Sequence, residues 1–183
     1  MELGGVANAQ TFAEKGEAVA RLSFKGASDY ALALKKLEFT AEQGELLEDA
    51  VKAGAKPVAD EIRRRLEALP TDKFRFLPEG EKFDGLPQRQ KDDLVDSFGL
   101  TPVDRDRSGF VHTKAGFDGY GTAPTKAYPK GIPNQLLARA VESGSSVREK
   151  TPFVRPAVQA TRKEAEAEMD KVIRQGLEEI FGK

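Results

Sequence analysis

The residue best suited to acid–base chemistry in this chain is His112, the only histidine. A general base needs an oriented partner and a substrate pocket, and the sequence shows neither beside it. Together with Asp118 it could hold a metal ion or serve a small hydrolase. No zinc-protease, serine-hydrolase or calcium-loop motif accompanies it, so a strand residue of a hairpin is the favoured interpretation.

A glycine-rich stretch, Gly116–Thr122, has the composition of a phosphate-binding loop and is followed by Lys126. A phosphate loop must lead into a helix, whose N–H groups complete the cradle. Pro124, Pro129 and Pro133 block a helix here, so the sequence predicts a loop over this segment and no nucleotide site.

Basic residues offer a third possibility. Arg63–Arg65 lies within a helical pattern, and its side chains point in three directions because successive residues differ by about 100°. A DNA-binding or regulatory module would use this triplet with Lys114, Lys126 and Lys130; the alternative is a solvated helix end. The 29 basic and 30 acidic residues nearly cancel, which argues against nucleic-acid binding as the main task.

Composition restricts the remaining chemistry. The chain has no cysteine, which excludes disulfides, thiol catalysis and cysteine-based zinc sites. No apolar run approaches the roughly 20 residues of a membrane helix, and the N-terminus lacks the pattern of a secretory signal. We expect a soluble protein made in a cytoplasm, with no cofactor, no metal and no catalytic residue.

The elements that carry these residues predict an α+β fold. Residues 1–18 read as an N-terminal arm or a start-site extension, and residues 19–183 as a single α+β domain. Val19–Phe24 has the alternation of a short strand, and Asp29–Leu37 looks helical.

A long helix begins after Thr40, where Gln43 completes a capping-box pattern. Pro57 falls inside it and predicts either a kink near Ala53–Pro57 or two successive helices. The predicted apolar stripe consists of Leu47, Val51, Gly54, Ala55, Val58, Ile62, Leu66 and Leu69.

A long loop or arm is expected at residues 71–93, which are rich in Pro, Gly and charge. It carries Phe74, Phe76 and Phe83, and we expect some of these rings to meet another subunit. Packing onto their own domain is the alternative.

Two strands, Leu94–Val103 and Gly109–Phe117, flank the charged turn Asp104–Gly109 and predict a β-hairpin packed on the long helix. The following loop holds Tyr120 and Tyr128.

The last third of the chain has the clearest organisation. A short helix from Leu136 leads to a turn at Gly144 and then to an extended segment, Thr151–Pro156. A second long helix, expected from Pro156 to about Phe181, follows, because proline suits the first helical position. The sequence therefore predicts a long kinked helix and a C-terminal helix packed on a small antiparallel sheet, with extended loops.

Three short patterns resemble one known family. They are the turn Glu142–Ser145, the segment Pro152–Ala157 and the strand start Leu94–Phe98, with its Leu-x-x-Ser-Phe spacing. Together they resemble the tail-component family of long-tailed, lambdoid-type bacteriophages, over about Gly26–Lys183. The family commonly has Thr-Gly before the leucine, where this chain has Asp92-Asp93.

The resemblance implies a non-enzymatic virion protein at the neck or top of the tail, assembled in the host cytoplasm and acting in tail completion or head–tail joining. A tail terminator ring is the alternative within that class. Implied partners are other neck and tail proteins (tail tube, terminator, stopper or connector) and further copies in a homo-oligomeric ring. DNA would pass through the channel without being specifically bound, and no membrane is involved.

Interfaces draw most of their energy from a few desolvated aromatic and arginine anchors. The candidates for such anchors are Phe74, Phe76, Phe83, Tyr120, Tyr128, Phe153 and, as a polar partner, Arg155.

Overall fold

The computed structural model describes residues 20–21, 41–73 and 77–181. The expected arm at 1–18, the helix expected at 29–37, and Phe74 and Phe76 lie outside the described residues. Within them the helices are α1 (Ala41–Glu67), α2 (Gln88–Ser97), α3 (Asn134–Ser143) and α4 (Val154–Phe181). The strands are β1 (Ala20–Arg21), β2 (Phe98–Leu100), β3 (Asp104–Arg105), β4 (Val111–His112) and β5 (Lys114–Phe117).

Helix α1 buries one line of residues along its length, with Ala55 buried beside it. Its buried line, which steps by four residues throughout, is Leu46, Ala50, Gly54, Val58, Ile62 and Leu66. In its first turns Leu46 and Ala50 are therefore inside, whereas Leu47 and Val51 are only half-buried. The helix runs through Pro57 without a break, so the alternative of two successive helices is wrong.

Among the described elements, α1 and α4 make the most extensive contact, and glycines allow their backbones to come close. A side chain at Gly54 would lie 2.7 Å from Sδ of Met169 and 3.0 Å from the carbonyl oxygen of Ala165. A side chain at Gly176 would collide with Leu46 in the same way. The small-residue site in the middle of α1 is thus a helix-packing site.

The predicted hairpin is present. Strand β2 pairs antiparallel with β5, with Phe98 opposite Phe117, and β3 pairs antiparallel with β4 across the charged turn. Strand β1 pairs with the other edge of β5, which gives the sheet order β1-β5-β2. Along β5 burial alternates, and Ala115 and Phe117 face the core.

The first hairpin strand begins later than predicted. Helix α2 takes in residues 94–97 of the predicted strand and residues 88–93 of the predicted loop, so the loop ends at Pro87 and the strand is confined to Phe98–Leu100. Leu94 is fully buried beside Gln90 and Asp93, at the three- and four-residue spacing of a helix face. Over so few residues the alternation of Leu94 and Asp96 suits a strand equally well, so the pattern could not decide.

A single core joins the C-terminal half of α1, the start of α4, the sheet and the two short helices. Three phenylalanine rings stand at its centre. The rings of Phe98 and Phe117 are 5.3 Å apart between centroids, and those of Phe117 and Phe153 are 6.0 Å apart in an edge-to-face arrangement. The chain is therefore an α+β fold with long helices beside a small antiparallel sheet, as its sequence predicts.

Candidate functional site

The junction between α3 and α4 is held by one carboxylate. Glu142, in the last turn of α3, accepts the backbone N–H groups of Phe153, Val154 and Arg155 at 2.7, 2.9 and 3.1 Å. These are among the N–H groups that a helix start leaves without an internal partner. A negative charge there also suits the positive end of the helix dipole. Glu142 therefore caps α4 from eleven or more residues away.

This cap explains why α4 begins earlier than predicted. The helix starts at Val154, and Pro156 is its third residue instead of its first. Arg155 is accordingly helical and not extended. A proline is tolerated in any position of the first turn, because the N–H that it lacks has no partner within the helix.

The connection between the two helices is compact. Gly144 adopts φ 77°, a conformation that glycine reaches without strain, and ends α3. The N–H of Thr151 then donates to the carbonyl of Val141 at 2.9 Å, and the N–H of Ser145 donates to that of Arg148 at 2.9 Å. The segment returns to the helix that it left, which places Glu142 beside the start of α4.

Two interface candidates lie at this junction. The side chain of Phe153 is 1% exposed and belongs to the core, so it leaves no surface for a partner. Its position next to the junction is what packs its ring against Phe117. Arg155 is exposed, and its side chain remains open to a partner.

Phe83 binds to its own domain. Its N–H donates to the carbonyl of Val147 at 3.0 Å, and its carbonyl accepts the N–H of Glu149 at 2.9 Å, which makes a short parallel bridge at Arg148. The ring is half-buried. Phe83 therefore contacts its own domain, which is the alternative to meeting another subunit.

Arg148 secures the same bridge, and nothing in the sequence singled it out. Its side chain is buried, donates to the carbonyl of Gly85, and lies 3.3 Å from Oε1 of Gln90. Burial lowers the pKa of the guanidinium. The buried arginine ties Gly85, near the end of the long loop, and Gln90, in the first turn of α2, to the segment that precedes α4.

The loop before α3 carries the two exposed tyrosines. Tyr120 is 60% exposed and Tyr128 is 38% exposed. The loop is closed by backbone bonds, among them Gly121 N–H to the carbonyl of Ile132 at 2.8 Å and the reciprocal pair between Thr125 and Tyr128. A side chain at position 131 would collide with the carbonyl of Gly121, so the two ends of the loop are in backbone contact there.

A polar cluster attaches this loop to α2. Asp93 accepts the N–H of Thr122 at 2.9 Å through one oxygen and the Thr122 hydroxyl at 2.8 Å through the other. Arg89, one turn earlier, donates to the same hydroxyl at 2.7 Å and to the Thr122 carbonyl at 2.6 Å. Asp93 thus anchors the base of the loop.

His112 lies in the hairpin, as the strand interpretation predicts. It is buried on β4, and its Nδ1 is 3.4 Å from the carbonyl oxygen of Phe110. Asp118 uses its carboxylate to accept the N–H of Gly119. Among the described residues no group of three or more His, Asp or Glu side chains is arranged to hold a metal ion.

The turn beside His112 is held by Asp106. Its carboxylate accepts hydrogen bonds from the N–H groups of Phe110 and Ser108. These bonds lower the pKa of Asp106, and the bond from Phe110 has the larger effect. His112 adds a smaller effect in the same direction.

The basic triplet makes internal contacts. The guanidinium of Arg63 lies 5.6 Å from the ring centre of Phe98 and donates to the Phe98 carbonyl at 3.1 Å. Arg64 and Arg65 both bind the carboxylate of Glu61, and the Arg64 bond is the largest cause that lowers the pKa of Glu61 to about 2. Arg63 therefore connects α1 to the sheet, whereas Arg64 and Arg65 bind within α1.

Two further findings complete the description. In the described part of the chain, no helix has the length and apolarity needed to cross a membrane. No family model, curated protein or solved structure matches the chain.

Proposed function

We propose that this chain is a structural virion protein of a tailed bacteriophage, acting without catalysis at the neck or top of the tail in tail completion or head–tail joining. A tail terminator ring is the alternative within the same class. The proposal begins from the resemblance to the lambdoid tail-component family. It is supported by what the residues that carry the resemblance do in the fold.

The observation that carries the proposal is the contact between two of the three resembling patterns. Glu142 from the first pattern caps the helix start formed by Phe153–Arg155 of the second, through three hydrogen bonds. Residues that match a family by chance need not be bonded to one another. Here they form one structural unit at the start of α4.

The third pattern also consists of residues with a structural task. Leu94 is fully buried, Ser97 donates its hydroxyl to the carbonyl of Leu94 at 3.3 Å, and the Phe98 ring packs against Phe117 in the core. The spacing Leu-x-x-Ser-Phe thus describes a helix end followed directly by a strand. All three patterns lie where a helix begins or ends.

The surface offers what a joining protein needs. Tyr120 and Tyr128 are presented on a loop whose base is tied to α2 by Asp93, so they are held in place before any partner arrives. Exposed aromatic side chains on a rigid support are typical anchors of protein interfaces.

The test is a phage carrying a nonsense codon in this gene. We expect filled heads and separate tails, with infectious particles restored when purified protein is added to the extract. A Tyr120→Ser/Tyr128→Ser variant should restore at least about tenfold fewer particles, because anchor residues dominate binding energy. Phe110→Ser is the matched control, since Phe110 is 43% exposed and lies on the hairpin instead of this loop.

Normal infectious particles from the mutant phage would overturn the proposal. Tails of normal length that fail to join would indicate a completion role, whereas overlong tails would indicate a terminator, because a terminator stops tube growth.

A further inference from the structure

One continuous stretch of the chain carries both basic and exposed apolar side chains. Between Asp118 and Glu142 the chain has no acidic residue, but it has three basic ones, Lys126, Lys130 and Arg139. All three are exposed. We name residues 119–139 the basic loop surface.

Half of the exposed large apolar side chains lie in the same stretch. Among the described residues six large hydrophobic side chains are exposed, and three of them, Tyr120, Tyr128 and Leu136, lie within it. Leu136 and Arg139 are three residues apart on α3 and so share one helix face. Basic residues around aromatic anchors suit an acidic partner with apolar contacts.

The chain itself contains a surface of the opposite charge. Residues 41–51, the start of α1, have four acidic residues and no basic one. The end of α4 adds Glu178 and Glu179, and it lies beside the start of α1 because Gly176 faces Leu46. Glu45, Glu178 and Glu179 are exposed, whereas Asp49 is paired with Lys52 at 3.1 Å and Glu48 with Arg105 at 4.0 Å, so the first three carry the charge that a partner would meet. We name this set the acidic helix end.

The two surfaces are too far apart to meet within one copy. The basic loop surface is tied to α2, and α2 lies at the C-terminal end of α1, where Lys91 donates to the carbonyl of Leu69. The acidic helix end is at the other end of α1. From Glu45 to Leu66 a helix rises about 30 Å, at about 1.5 Å for each residue.

We propose that the basic loop surface of one copy docks on the acidic helix end of the next copy. Such a contact joins two different patches, so it is head-to-tail and generates a ring or an open filament. The inference rests on the proposed function, which places the chain in a neck or tail ring. It identifies the two surfaces through which copies would contact each other in that ring.

The experiment measures self-association of the full chain by sedimentation velocity and mass photometry at low and high salt. One variant reverses the loop charges (Lys126→Glu, Lys130→Glu, Arg139→Glu), a second reverses the helix end (Glu45→Lys, Glu178→Lys, Glu179→Lys), and a third carries both sets. The control, Lys82→Glu/Lys150→Glu/Lys163→Glu, changes the net charge as much as the first variant, at exposed sites outside both surfaces.

We expect the unaltered chain and the control to assemble at low salt and to dissociate as salt screens the charges. Each single-surface variant should associate more than about tenfold more weakly, because like charges then face each other. The variant with both surfaces reversed should assemble again. Tyr120→Ala, which changes no charge, should also weaken assembly, because Tyr120 is an exposed anchor of the docking surface.

A chain that stays monomeric at all salt concentrations overturns the inference. It is also overturned if the variant with both surfaces reversed remains monomeric while circular dichroism shows it folded, or if the loop variant associates like the control. Binding of duplex DNA that is lost in the loop variant, with no self-association, would reassign the basic surface to nucleic acid. A monomeric chain that is present in virions refutes this inference alone, whereas an assembling chain that is absent from virions refutes the proposed function alone.

Discussion

Replacing Glu142 with alanine tests the junction on which the fold and the family resemblance both depend. The change removes an acceptor that binds the N–H groups of Phe153, Val154 and Arg155 at 2.7 to 3.1 Å. All three donors belong to the start of α4, so the loss acts at one place in the structure.

The magnitude follows from those contacts. A hydrogen bond to a charged group contributes about 1.5–3 kcal/mol, and loss of a helix N-cap costs about 0.5–2 kcal/mol. The bonds to Phe153 and Val154 are partly buried, whereas the Arg155 N–H is at the exposed side and can bind water once Glu142 is gone. We therefore expect Glu142→Ala to lower the free energy of unfolding by about 2–3 kcal/mol. Glu142→Gln keeps an acceptor oxygen but loses the charge, and should lower it by about 1 kcal/mol.

Urea unfolding followed by circular dichroism measures these free energies, and amide exchange of residues 153–155 locates the effect. Glu149→Ala is the control, since Glu149 is an exposed carboxylate in the adjacent loop and its replacement should change stability by less than about 0.5 kcal/mol. A loss below that limit for Glu142→Ala, or an equal loss for Glu149→Ala, would refute the capping role.

Three more predictions concern the core, the sheet and pH. Phe153→Ala should lower the free energy of unfolding by about 3–5 kcal/mol in urea titrations, because the ring is fully buried. A loss below about 1 kcal/mol would contradict the burial of Phe153. Arg63→Ala should cost about 1–2 kcal/mol in the same assay through its contacts with Phe98, and Arg63→Lys should recover only part of this, whereas full recovery by lysine would show that charge alone matters. Bonding to Arg64 and Arg65 depresses the pKa of Glu61 to about 2 from an ordinary 4.5, so its contribution to stability is present above about pH 4.5 and is lost as pH falls towards 2. Thermal melts of Glu61→Gln should lack this part of the acid dependence, and an unchanged pH profile would contradict the assignment.

The long helices and the hairpin could be predicted because each rests on a local pattern. The apolar residues of α1 recur at three- and four-residue steps, and the charged turn between β3 and β4 separates two segments with strand alternation. In both cases every residue needed for the inference lies within one stretch of chain. The stripe of α1 was nevertheless one residue off in its first turns, because a helix face is wide enough to fit either line.

The rest depended on contacts between distant residues. Glu142 lies 11 to 13 residues before the N–H groups that it binds, and Asp93 lies 29 residues before Thr122. A single sequence gives no sign of such pairs, so the early start of α4 and the attachment of the loop were missed. The burial of Phe153 was undetermined for the same reason, since an aromatic residue in a short connecting segment suits a core or an interface equally well.

The most direct test of the proposed role is the number of copies of this chain in purified virions of the phage that encodes it, measured by quantitative mass spectrometry. The account predicts that the chain remains with intact particles and with separated tails or necks, at a constant copy number of several for each particle. A chain found only in the soluble fraction of the lysate, and absent from purified particles, would contradict it.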